Sequence, residues 1–77
     1  MREQIIELLQ KVKSGVDYEV EKDLIGSGIL SSLKMLSFIR SLEDEFDISI
    51  TADYLLPENF MNLDTIENLV NTLSDED

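Results

Sequence analysis

Apolar residues in this chain recur at helical spacing in three separate stretches, and that pattern restricts the fold more than any other feature. Ile5, Leu8, Leu9, Val12 and Val16 fall at i, i+3, i+4, i+7 and i+11, which sets them on one face of a helix. Met35, Ile39, Leu42 and Phe46, with Phe38 beside them, form a second stripe, and Ile66, Leu69, Val70 and Leu73 form a third. Ile48 and Ile50 alternate, but one isolated strand has nothing to pair with. Ser14-Gly15 marks the end of the first helix. The second starts near Ser31 or Ser32 and runs to Phe46. Pro57 followed by Glu58 suits the first turn of a short helix anchored by Phe60. Asp64, with Glu67 three residues on, reads as the N-cap and capping-box variant of the last helix, and Asp75-Glu76-Asp77 reads as a frayed acidic tail. The expected fold is all-α: a small up-and-down four-helix bundle, three main helices plus one short one, with a long loop between helices 1 and 2.

A chain of 77 residues makes one domain, 1–77, and buries only about 60% of the surface its unfolded form exposes. Cysteine is absent, so no disulfide or thiolate metal site supplements that core. Histidine is absent as well, which removes the most versatile acid–base catalyst and the commonest metal ligand. No catalytic residue is expected. Seventeen acidic residues against six basic ones give a net charge of −11. Such a surface repels phosphate backbones and anionic membranes, so nucleic acid is not an expected partner. The charge either keeps a small protein soluble or steers it towards proteins with basic patches. No stretch approaches the roughly 20 apolar residues that span a bilayer, and Glu3 and Glu7 interrupt any signal-peptide core after Arg2. A cytoplasmic monomer without membrane insertion is the expectation.

The connection over residues 16–30 is long for so small a domain, and long loops are often functional. Leu24, Ile29 and Leu30 give it apolar anchors. It ends in Ser31-Ser32, where a helix opens. A helix start offers unpaired N–H groups and a positive dipole end, a natural seat for a phosphate; serine there also serves as an ordinary N-cap. At about 100° per residue, Leu33 points away from the buried stripe, Leu36 lies on its flank, and Ser37, Arg40 and Asp44 share the outer face with Leu33. Other sites fare less well. The acidic run from Glu43 to Asp47 lacks the loop pattern of a calcium site, so no metal is expected. Gly26-Ser27-Gly28 has neither the spacing nor the preceding strand of a nucleotide loop. Tyr18 and Tyr54 read as partial core residues.

Asp23-Leu24-Ile25-Gly26-Ser27-Gly28-Ile29-Leu30-Ser31-Ser32-Leu33 resembles the stretch around the modified serine of the acyl carrier protein family. Glu43-Asp44-Glu45-Phe46-Asp47-Ile48 is similar to that family's acidic end of helix two. Leu56-Pro57-Glu58-Asn59-Phe60, followed by Asp64-Thr65-Ile66, resembles its third-helix region. The similarity covers nearly the whole chain in order and spacing, which makes 1–77 an acyl carrier protein-like domain.

The resemblance implies a carrier without enzymatic activity. Ser32 matches the serine to which a separate phosphopantetheinyl transferase joins 4'-phosphopantetheine, covalently and from coenzyme A. The arm's thiol then carries an acyl or aminoacyl group as a thioester between loading and transfer enzymes, which explains a chain with neither cysteine nor a general base. The family's helix-two face near that serine docks partners, here Leu33, Lys34, Leu36, Ser37, Arg40, Glu43 and Asp44. Two departures stand out. Ser31 replaces the family's usual aspartate, and Lys34 and Arg40 interrupt a usually acidic face. The second implies partners other than the basic-patch enzymes of bulk fatty acid biosynthesis, such as those of a dedicated aminoacyl or secondary-metabolite pathway; alternatively, Arg40 and Asp44 form a weak solvated helix pair. The competing function is a carrier-like interaction module that is never modified and docks through the same face. A hydrolase using Ser32 lacks any nearby base in sequence.

Overall fold

The computed structural model describes residues 1–75. Three helices carry the fold: α1 (Arg2–Val12), α2 (Ser32–Phe46) and α3 (Leu63–Asp75). Each packs against the other two. A short 3₁₀ helix at Pro57–Phe60 precedes α3, with Pro57 in its first turn; a further 3₁₀ turn at Ala52–Tyr54 was not legible in the sequence. No strand forms among the described residues, and Ile48 and Ile50 are simply buried in a loop. The Cα radius of gyration is 11.3 Å, close to the roughly 11.5 Å of a well-packed chain this long. No helix among the described residues is long and apolar enough to cross a membrane.

The buried face of each helix follows its stripe, with local shifts. Ile5, Leu8 and Leu9 are buried from α1, but the helix stops at Val12. Val16, which keeps the spacing of the stripe but belongs to the expected connection, lies beyond Gly15 and packs half-buried against the core from the loop. Gly15 adopts φ +82°, the left-handed conformation that glycine takes without a Cβ penalty. Gln10 secures the reversal, accepting from the Gly15 N–H at 2.9 Å and donating to the Val16 carbonyl at 2.8 Å. In α2 the centre of burial is Phe38, Ile39 and Leu42, while Met35 and Phe46 are only half-buried. Phe38, expected beside the stripe, is fully buried.

The capping of α3 corrects the expectation for Asp64. The box is made two residues earlier: Asn62 Oδ1 accepts from the Thr65 N–H at 3.0 Å, and Thr65 Oγ1 accepts from the Asn62 N–H at 3.2 Å. Those two bonds satisfy orphan amides reciprocally, as a Ser/Glu box would. Asp64 instead sits exposed in the first turn and pairs with Arg2. The expected acidic tail begins at Asp75, inside α3, while Glu76 and Asp77 lie outside the described residues. Tyr18 belongs fully to the core at 2% exposure, and Tyr54 packs half-buried against it. The Tyr18 hydroxyl donates to the carbonyls of Lys13 at 2.6 Å and Leu9 at 3.1 Å, covering the end of α1 where helix carbonyls lack partners.

Candidate carrier site

The long loop is a folded element, and its sequence explains how. Leu24 is fully buried and its N–H donates to the Met61 carbonyl at 2.8 Å, tying the loop to the segment before α3. Six residues on, the Leu30 N–H donates back to the Leu24 carbonyl at 3.0 Å. The turn between them is held by side chains that favour local backbone bonds. Asp23 Oδ1 accepts from the Gly26 N–H at 2.7 Å, and Ser27 Oγ donates to the Leu24 carbonyl at 3.2 Å. A Cβ at Gly26 would fall 2.1 Å from Asp23 Oδ2, so only glycine lets that carboxylate close over the turn. Gly28 takes φ +85°. Ile29 and Leu30 are then buried, and the chain arrives at Ser31 in a set position.

Ser31 occupies the N-cap position of α2 with extended backbone but makes no side-chain cap hydrogen bond, and the first turn holds no acidic residue. The capping role expected for one of the two serines is therefore filled in position only. Ser32 is the first helical residue and is exposed; its hydroxyl makes no hydrogen bond among the described residues. The result is a helix N-terminus whose amides are left without a side-chain partner, beside a free hydroxyl.

Ser32 lines an apolar groove of about 270 Å³ between α2 and the segment that follows it. Met35, Leu36 and Ile39 form one wall; Leu55, Leu56 and Phe60 form the other. Leu36, Leu55 and Leu56 remain 60%, 44% and 45% exposed, a clustering of apolar surface that isolated surface leucines do not require. Sequence reasoning missed Leu55 and Leu56. No sequence signal sets them apart from Ile29-Leu30, an adjacent apolar loop pair that is buried. The groove lining holds no ionisable group, so nothing there takes the proton of Ser32, and nucleophilic hydrolysis has no base to drive it.

The expected docking residues divide among four places. Leu33, Lys34 and Ser37 are exposed on the side of α2 that faces α1, with Leu33 81% exposed. Leu36 faces the groove. Arg40 and Asp44 are exposed further along α2 but form no ion pair with one another. Glu43 is half-buried, and its carboxylate accepts from the Ile50 N–H at 2.9 Å, so it holds the loop after α2 in place. Among the described residues no group of three or more carboxylates is placed to hold a metal ion.

Comparison with known proteins completes the description. No family model matches the chain, and no solved structure matches it. The chain is 30% identical to aminoacyl carrier protein 1 of Bradyrhizobium diazoefficiens, over 94% of its own length and 83% of the relative's. It is 32% identical to the D-alanyl carrier protein of Lactococcus lactis subsp. cremoris and 33% identical to that of L. lactis subsp. lactis, over 99% of both chains in each case. With this similarity end to end and the helical bundle, the chain belongs to the carrier protein family and is not an enzyme.

Proposed function

We propose that this carrier holds an acyl or aminoacyl group as a thioester on a 4'-phosphopantetheine arm attached to Ser32, and delivers it to partner enzymes of a dedicated biosynthetic pathway. One observation carries the reading: Ser32 stands exposed at an uncapped helix start, on the lip of an apolar groove free of ionisable groups. The residues suit the group. A phosphodiester on Ser32 Oγ would bring its anion to the amides and positive dipole end of α2, where no acidic side chain competes. Leu36, Leu55 and Leu56 offer apolar surface beside it. The arm supplies the thiol that the cysteine-free chain lacks.

The protein's own contribution is positional. The loop over 23–30 fixes where Ser32 emerges, and the exposed leucines give an incoming enzyme something to bury. The partners are a phosphopantetheinyl transferase, which draws on coenzyme A, and the enzymes that load and unload the arm. An amino acid is favoured as cargo because the relatives are named for aminoacyl and D-alanyl groups. The second reading, a module that is never modified, is favoured by Ser31 standing where the family's aspartate is usual. Intact-protein mass after incubation with coenzyme A and a transferase decides between them.

A further inference from the structure

Helix α2 borders two surface depressions of different character, and the neighbours Ser32 and Leu33 at its head line one each. On one side is the apolar groove; on the other is a trough of about 310 Å³ between α1 and α2. Leu8 and Val12 of α1 and Leu33 and Ser37 of α2 line it, with Lys11 and Lys34 beside them and no acidic residue. Both lysines are exposed, and neither makes an ion pair or side-chain hydrogen bond among the described residues. Seventeen of the chain's 23 charged residues are acidic, so a depression bordered by two lysines and no carboxylate inverts the sign of the whole surface. The inversion adjoins Leu33, the most exposed large apolar residue of the described chain.

We propose that this trough docks a partner protein through an apolar side chain flanked by carboxylates. The inference rests on the carrier reading for its purpose, bringing an enzyme to Ser32, and adds the chemistry of the partner's surface. An apolar residue seated against Leu8, Val12 and Leu33 leaves water, while its acidic neighbours meet Lys11 and Lys34. A partner with a basic rim at this place meets like charge, so the lysines select as well as attract. The chain's net charge opposes an acidic partner at long range. At physiological salt that repulsion is screened beyond about 8 Å, whereas contact pairs persist.

Two synthetic amphipathic helical peptides test this, sharing one leucine stripe, flanked in one by glutamates and in the other by lysines. Each is titrated at physiological salt into the isotope-labelled full chain, and backbone amide shifts are followed. The glutamate peptide is expected to shift Lys11, Leu33, Lys34 and Ser37. Combined Lys11→Glu and Lys34→Glu should weaken it by roughly tenfold or more, Lys11→Gln with Lys34→Gln by less, and Lys22→Glu should leave it unchanged. Unmoved trough amides, equal binding of both peptides there, or wild-type affinity in the double variants would overturn the proposal. Ser32 takes no part in the titration, so failure here leaves the carrier reading intact, and failure of Ser32 modification leaves the trough result readable.

Discussion

Arg2 Nη1 lies 2.9 Å from Asp64 Oδ1, joining the first turn of α1 to the first turn of α3. Glu67 at 3.1 Å and Glu19 at 3.3 Å complete a clamp of three carboxylates on one guanidinium. The hydrogen bonds with Asp64 and then Glu19 raise the Arg2 pKa above its ordinary value, so the clamp keeps its cation wherever the carboxylates are charged. In a chain of net charge −11, such a contact relieves self-repulsion as well as tying three segments together. Arg2→Gln is expected to lower the melting temperature by several degrees at low salt, with the gap narrowing as salt rises. Thermal melts at two ionic strengths check this; an equal loss at both would assign the role of Arg2 to packing of its stem.

Tyr18 links the stability of the fold to alkaline pH. Burial, and after it the charge of Glu21, raises the Tyr18 pKa. The unfolded chain then releases the phenolic proton first, so this contribution is complete below about pH 10 and is lost as pH rises past it. Tyr18→Phe removes the hydrogen bonds to Lys13 and Leu9 and should cost about 1–3 kcal/mol at neutral pH. The variant should also lose less stability than the native chain between about pH 9 and about pH 11. Denaturant melts across that range show whether the two curves converge.

Gly28 tests the loop that delivers Ser32. A Cβ there meets nothing within 4 Å, so Gly28→Ala carries only the backbone cost of φ +85°, about 1–2 kcal/mol. Chemical denaturation should register that loss in full, with little change in helix content by circular dichroism.

Ser31→Asp should be a stabilising change. An aspartate at this N-cap can accept from the first-turn amides that Ser31 leaves unmet and adds negative charge at the dipole's positive end, together worth about 0.5–1 kcal/mol. If the transferase also reads that charge, the rate of Ser32 modification rises in the same variant. Melting curves and a time course of modification give the two answers separately.

The helices were legible because burial imposes the 3.6-residue period directly on the sequence, as the stripe through Leu8 and Leu9 and the one through Leu69 and Val70 show. Their ends were less so. Asn62 and Asp64 are equally good caps by residue type, and only the reciprocal bond with Thr65 distinguishes them. Val16 kept the period while Gly15 had already broken the helix. Long-range electrostatics was hidden: Arg2 was read only as part of the leader question, yet its partners lie 17, 62 and 65 positions away. The local pair of Arg40 and Asp44, the alternative reading of that face, does not form. At the site, Ser32, Leu33 and Leu36 could be placed because one helix carries them all. Lys11, Leu55 and Leu56 reach the same neighbourhood from other elements, and only tertiary packing brings them there.

The most direct test of the central claim is the intact mass of the protein after incubation with coenzyme A and a promiscuous phosphopantetheinyl transferase, beside a Ser32→Ala variant and a known carrier as control. A gain of one phosphopantetheinyl group in the native chain and none in the variant is the predicted result. No gain with several transferases that modify the control, or an equal gain in Ser32→Ala, would contradict the assignment of Ser32 as the point of attachment.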